Sequence, residues 1–297
     1  MFNKRASIAL VALVAPILAL HGWSARQPTR IPQSDRVVTG EAVPLGPPPG
    51  GEQVRLWHLS APDRRFGGVS GLAMDGAGLV ALTDEGVIIR FDPPRRRGGA
   101  MRVMLHDLPD GPGSAFSKRG RDGEALLAAG ARGWWVTFEG DHALWRFDSR
   151  FARPLERHRL SVDWSSNKGG EAAAFASDGS VMVLPERGGP VVTAGDRPPA
   201  IRAPRGTSDA ARLPDGRLAI LVRRLTPWGF RSEVRIAAGG GRSERRIALR
   251  LAPLDNPEAM TAASLPNGGT RLWIATDNNF RPWMRTVLVA IDLPPGA

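Results

Sequence analysis

Three Glu-Ala pairs, Glu124-Ala125, Glu171-Ala172 and Glu258-Ala259, each open a run of small apolar residues. A second set of acids closes the apolar runs that follow: Asp84 and Glu85, Glu139, Glu186, and Asp277. Cationic and amide groups stand near them in the chain, at Arg121, Lys168, Arg223 and Asn278, with Asn279, Arg281 and Arg285 beyond. Carboxylates that converge are costly to ionise, because burial and like charge both oppose it. Three things relieve that cost. A hard cation such as Ca²⁺ takes six to eight oxygen ligands; neighbouring Arg or Lys side chains pair with the acids; or backbone N–H groups donate to them. The first arrangement gives metal-assisted hydrolysis, with Arg and Lys holding the oxygens of an anionic or ester substrate. On that reading Glu124, Glu171 and Glu258 are the catalytic residues, acting as base or metal ligands. Asp84, Glu85, Glu139 and Asp277 are further metal ligands, and Lys168, Arg223, Arg121 and Asn278 contact substrate. The third arrangement makes the same acids structural.

Other chemistries find little support. The chain has no cysteine, which excludes disulfides, thiolate nucleophiles and Cys-ligated metals. No Gly-x-Ser-x-Gly elbow is present. The five histidines, His21, His58, His106, His142 and His158, have neither zinc-site spacing nor a serine motif beside them. Asp110-Gly-Pro-Gly113 reads as a turn.

The elements that must position these residues repeat. Units begin at Ser70, Glu124, Glu171, Asp209 and Glu258. Each opens with a strand rich in small residues, such as Ala172–Ala174 or Ala259, Ala262 and Ala263, followed by Gly-containing turns and further apolar strands. Small side chains suit strands that converge on an axis. The last unit has three clear strands, and the single strand at Gln53–Ser60 supplies a fourth that closes a ring. This predicts an all-β fold, a β-propeller of four-stranded antiparallel blades. Five blades are countable; a sixth has room only around Arg95–Arg121 or Leu225–Asp255, and a β-sandwich is the other arrangement such strands allow. In a propeller the start of each first strand and the end of each second strand share one face. Both acidic sets therefore meet at the channel mouth, with Arg223-Arg224 replacing the acid in the fourth unit.

The rest of the chain frames this domain. It has 297 residues, 42% of them hydrophobic, enough for one large core. The formal net charge is +11, and all but Lys4, Lys118 and Lys168 of the basic residues are Arg. They are scattered rather than set on a basic helix, and Tyr is absent, so nucleic acid is not an expected partner. Residues 1–25 carry Lys4 and Arg5, the apolar stretch Ile8–Leu20 and then Gly22, Ser24 and Ala25. That is the pattern of a signal peptide, or of an uncleaved N-terminal anchor, and it points to a periplasmic or secreted protein. Residues 26–51 are Pro/Gly-rich and read as a linker; 52–297 are the propeller domain, expected as a monomer.

Several motifs together resemble the phytase-like propeller family, known for an "esterase-like activity of phytase". They are Gly68-Val-Ser-Gly-Leu-Ala73, Thr83-Asp-Glu-Gly86, Arg121-Asp-Gly-Glu-Ala125, Asn167-Lys-Gly-Gly-Glu-Ala172 and Asn256-Pro-Glu-Ala259. The closing Asp277-Asn-Asn-Phe280 and Arg285-Thr-Val-Leu-Val-Ala290 are also similar to it. The resemblance covers about Val54 to Leu293. It implies an exported propeller and phosphoester or ester hydrolysis. Family members commonly have Glu-Gly where this chain has Glu-Ala. The competing expectation is a periplasmic binding propeller, with Trp164, Trp228 and Trp283 on turns as contacts. Lactone or sugar oxidation follows from fold analogy alone.

Overall fold

The computed structural model describes residues 31–46, 54–162, 164, 170–193, 201–236 and 245–296. The export segment, Lys168 and the two ends of the proposed linker, residues 26–30 and 47–51, lie outside these residues.

The strands follow the repeat. Two come first, β1 (Arg36–Leu45) and β2 (Val54–Ser60). The first unit holds β3 (Val69–Asp75), β4 (Gly78–Thr83), β5 (Val87–Phe91) and β6 (Gly99–Asp107). The second holds β7 (Gly123–Ala128), β8 (Trp134–Phe138), β9 (Ala143–Phe147) and β10 (Pro154–Arg159). The third is broken into β11 (Gly170–Phe175), β12 (Val181–Pro185), β13 (Gly189–Pro190), β14 (Val192–Thr193) and β15 (Arg202–Ala203). The fourth holds β16 (Thr207–Arg212), β17 (Leu218–Thr226), β18 (Gly229–Ile236) and β19 (Arg245–Leu249). The last has β20 (Asn256–Ser264), β21 (Thr270–Asp277) and β22 (Thr286–Leu293).

Every pairing is antiparallel; in the third unit the expected four-stranded blade is instead a three-stranded sheet, β11-β12-β14, beside the pair β13-β15. The ring closes as the orphan strand predicts: β2 pairs β22, with Leu56 opposite Val289. The innermost strands β3, β7, β11, β16 and β20 touch one another in that order, and β20 touches β3. Side chains on these strands are small where they converge, Ala172 to Ala174 and Ala259 being at most 2% exposed. Separate apolar clusters fill the space between successive units all the way round. Those clusters rather than one central core hold the molecule together, since burial of apolar area is the main favourable term in folding. The architecture is an all-β propeller.

One element departs from the sequence reading. Part of the expected linker forms β1, which bridges the seam by pairing β2 on one side and β6 on the other. Its pattern is weak because it lies on the outside, where only Gly40 and Ala42 are buried. Gly40 is required there: a Cβ would lie 2.7 Å from the Ser60 carbonyl oxygen.

Candidate functional site

Each inner strand slips register near its start. The breaks fall between Val69 and Gly71, Gly123 and Ala125, Gly170 and Ala172, Thr207 and Asp209, and Pro257 and Ala259. The residue left out of the ladder is Ser70, Glu124, Glu171, Ser208 or Glu258. A β-bulge re-aims the side chain it displaces, and in three units that side chain is a glutamate at the mouth. The two serines instead donate to backbone carbonyls, Ser70 Oγ to Leu82 of its own unit at 3.3 Å and Ser208 Oγ to Pro257 of the next unit at 3.2 Å.

The second strands supply the other half. The residues opposite the pre-bulge positions are Thr83, Phe138, Pro185, Val222 and Thr276. One step beyond them stand Asp84, Glu139, Glu186, Arg223 and Asp277. The acids of the two sets are therefore brought together as the topology predicts.

Their electrostatics follow from crowding. Burial, and then the charges of Glu171, Asp122, Glu258 and Glu139, lift Glu124 well above the usual carboxylate range. Burial and the Glu186 charge push Glu171 up to about 8 against the pull of Arg223. Burial and then Glu258 and Asp84 raise Asp277 well above its ordinary value, although the Asn279 N–H donates to its Oδ1 at 2.6 Å. Burial pushes Asp122 up to about 8 against the pull of Lys118, and the charges of Asp84 and Glu139 add to the rise. Asp122, Glu124 and Glu139 form the tightest group: one oxygen from each lies within 4.8 Å of the others.

Two cations are built into the mouth. Lys118 Nζ is 2.5 Å from Asp84 Oδ2 and 3.9 Å from Asp122 Oδ1. Asp84 is still raised by burial, with Lys118 opposing. These acids hold the Lys118 ammonium above its usual value although burial alone would lower it. Across the ring, Arg223 Nη1 donates to Glu258 Oε1 and, at 2.5 Å, to Asn256 Oδ1. Asn256 Nδ2 donates to the same glutamate oxygen at 2.5 Å. Glu258 nonetheless sits above the usual range because it is buried.

Several expected roles change. Arg121 does not face substrate. It is 2% exposed, and its guanidinium donates to the carbonyls of Gly113 and Gly120 at 2.7 Å and of Leu108 and Pro109 at 3.4 Å. It braces the loop that carries Lys118. Asn278 acts as a clasp between the last and first units: its Oδ1 accepts from Gly68 N at 2.9 Å and from Phe280 N at 3.1 Å. Glu85 lies one residue beyond Asp84 and adds to the charge that Asp84 feels. Lys168 lies outside the described residues. Asp209 is not the fourth member of the glutamate set; Ser208 occupies that position. Asp209 instead accepts from Met260 N at 2.5 Å and Ala210 N at 2.7 Å, tying two inner strands together. The sequence reading missed Lys118 and Asp122. Both had a signal: Lys118 is one of three lysines in an Arg-dominated chain, and Asp122 stands two residues before Glu124.

Comparison with known proteins agrees with this geometry at the level of family. The phytase-like family pattern, described as "esterase-like activity of phytase", matches residues 64–280. The chain belongs to that family. No curated protein matches it. Among solved structures, the Kuenenia stuttgartiensis hydrazine synthase aligns at 16% identity and a TM-score of 0.36, over 70% of this chain and 64% of that one. The extracellular domain of a putative hybrid two-component system from B. thetaiotaomicron aligns at 12% identity and a TM-score of 0.38, over 80% of this chain. This chain spans only 30% of its length. A putative gluconolactonase aligns at 11% identity and a TM-score of 0.44, over 91% of this chain and 94% of that one. These are distant likenesses.

Proposed function

We propose, from the premise that the chain is a phytase-like propeller, that its mouth is a metal-assisted site for hydrolysing phosphoester or ester bonds. We read the ring as five-bladed, and the protein as an exported, periplasmic or secreted monomer. The observation that carries the reading is the trio Asp122, Glu124 and Glu139, whose oxygens lie within 4.8 Å of one another. Ligands at 2.3–2.6 Å from a Ca²⁺ ion are at most about 5 Å apart. The trio has the spacing and the oxygen chemistry such an ion needs, and the raised Asp122 and Glu124 are acids that a cation would relieve. A divalent cation bound there supplies Lewis acidity toward a phosphoryl or acyl oxygen.

The chain's own residues do the rest. Glu171, pushed up to about 8, is matched to accept a proton from the attacking water near neutral pH. Arg223 has five N–H donors, enough to hold Glu258, Asn256 and one substrate oxygen together. Lys118 fixes Asp84 and Asp122 in place. Support for export is the charged start and the Ile8–Leu20 stretch.

A mouth that binds without turnover is the second reading. It draws support from Lys118 and Arg223, which already neutralise part of the acidic set. The deciding experiment is hydrolysis of p-nitrophenyl phosphate and acetate with Ca²⁺ and with EDTA. Calcium-dependent turnover that Glu171→Gln reduces at least a hundredfold supports the hydrolase. A calcium-induced rise in melting temperature without turnover moves the assignment to binding.

A further inference from the structure

The two ends of the propeller differ in what they expose. The large apolar side chains more than half exposed, among the described residues, are Ile31, Val37, Phe116, Leu225, Trp228 and Trp283. All lie toward the mouth end. Trp228 is on the β17–β18 turn and Trp283 on the β21–β22 turn, both of which join second to third strands. Phe116 is on the loop from β6 to β7, the loop that also carries Lys118. Toward the opposite end the turns Asp75–Gly78 and Asp148–Arg153 expose no large apolar side chain, and the most exposed ones near them, Val43 and Leu155, are 41% and 42% exposed.

The two tryptophan turns are linked through the loop before β20. The Pro253 carbonyl accepts from Phe230 N at 2.8 Å, which packs the half-exposed Leu254 loop against the Trp228 turn. Asp255 in turn pairs with Arg285 at 2.6 Å, tying that loop to the Trp283 turn. β17 runs three residues past Arg223 before it turns, which places the rim roughly 10 Å outside the acidic ring at about 3.3 Å per residue. The acids of the ring are thus recessed, and the charge at the rim itself is mainly basic: Arg119, Arg187, Arg205, Arg224 and Arg231 are exposed at this end, against the exposed acids Asp35 and Asp110.

The chain also enters the fold here. Gln33 N donates to Asp107 Oδ2 at 3.0 Å, at the mouth end of β6, and β1 then runs away from the mouth. Upstream lies the apolar stretch Ile8–Leu20 with Lys4 and Arg5 before it. That stretch falls short of the roughly 20 residues a spanning helix needs. A weak apolar anchor holds a protein to a bilayer stably only with a second contact, such as basic residues or an inserted apolar surface. Trp at the level of the headgroups and Arg beside anionic lipid are the residues such a contact uses.

We propose that the mouth face is a membrane-docking surface, which lays the rim of Trp228, Trp283, Leu225 and Phe116 on an anionic bilayer and opens the acidic funnel toward the lipid headgroups. The absence of cysteine allows a direct test on the full chain, by attaching an environment-sensitive nitrobenzoxadiazole label to a single introduced cysteine. With phosphatidylglycerol vesicles, the label on Leu225→Cys shifts to the blue and brightens several-fold, while the label on Ser149→Cys at the opposite end does not change. Vesicles of phosphatidylcholine alone give a smaller response. In the unlabelled chain, replacing Trp228 and Trp283 together by Ser lowers partition onto anionic vesicles at least tenfold at an unchanged melting temperature. A chain held on vesicles with its Leu225 label still in water overturns the proposal, as does an equal shift at both positions. A shift that appears without vesicles as protein concentration rises also overturns it, by identifying a second copy as the occupant.

Discussion

Without a bound cation, the protein should lose stability as pH rises through the neutral range. Asp122 and Glu171 are each pushed up to about 8 in the folded state, whereas an unfolded chain releases these protons near pH 4. Below that, both states are protonated and nothing is gained or lost. Between about 4 and about 8 the folded state holds protons that the unfolded state has released. Stability therefore falls as pH rises, which is opposite to the behaviour of salt-bridged carboxylates. These two retained protons alone correspond to a slope of about 2.7 kcal/mol per pH unit, and the raised Glu124 and Asp277 act in the same direction. Water reaches the funnel, so the expected slope is about 1–2 kcal/mol per unit, or about 2–8 °C in melting temperature for a domain of this size. Differential scanning fluorimetry at pH 5, 6, 7 and 8 in EDTA measures it. Millimolar Ca²⁺ flattens the slope, because an ion that needs ionised ligands stabilises most where they are ionised. A melting temperature that rises from pH 5 to pH 8 in EDTA refutes the reasoning, since the crowded acids would then be no harder to ionise than ordinary ones.

Other substitutions separate the roles of individual groups. Lys118→Met leaves Asp84 and Asp122 without their shared counter-ion. It should cost about 3 kcal/mol at pH 7.5 by denaturant titration, the low end for breaking a buried pair because both partners retain some solvent access, and less at pH 5. Asp209→Ala removes the acceptor of two buried backbone N–H groups and should cost about 2–4 kcal/mol with calcium affinity unchanged, the pattern of a structural acid. Gly68→Ala introduces a Cβ 2.3 Å from Phe280 Cε2 and 2.5 Å from Asp84 Oδ1 at a φ of +59°. It should lower the melting temperature by several degrees and, in the folded fraction, weaken the Lys118–Asp84 side of the site.

The repeat made much of the fold legible. Alternating apolar strands with Gly turns, and Ala runs such as Ala172–Ala174, mark where strands converge. The Gln53–Ser60 strand had no local partner, and a ring gives it one in β22. Topology then brought Glu124, Glu171 and Glu258 to the same end as Asp84, Glu139 and Asp277. What escaped was local. A bulge is one residue of slippage and leaves no compositional trace, so Asp209 looked equivalent to the glutamates although Ser208 holds their place. Arg121 has the charge for an anion contact, but its burial depends on the fold of the 108–120 loop, whose carbonyls it collects. β1 exposes most of its side chains, so it lacks the apolar alternation that identifies inner strands. Lys118 reaches Asp84 and Asp122 from a single 3₁₀ turn, Lys118–Gly120, that no periodicity announces.

The most direct test of the central claim is a calorimetric titration of the chain with CaCl₂ at pH 7.5, beside Glu124→Gln. The account predicts saturable binding with proton release in the wild type, because the ion displaces protons held by Asp122 and Glu124. It predicts at least a tenfold weaker affinity in the variant. Binding that is unchanged by Glu124→Gln, or no binding in either protein, would contradict it.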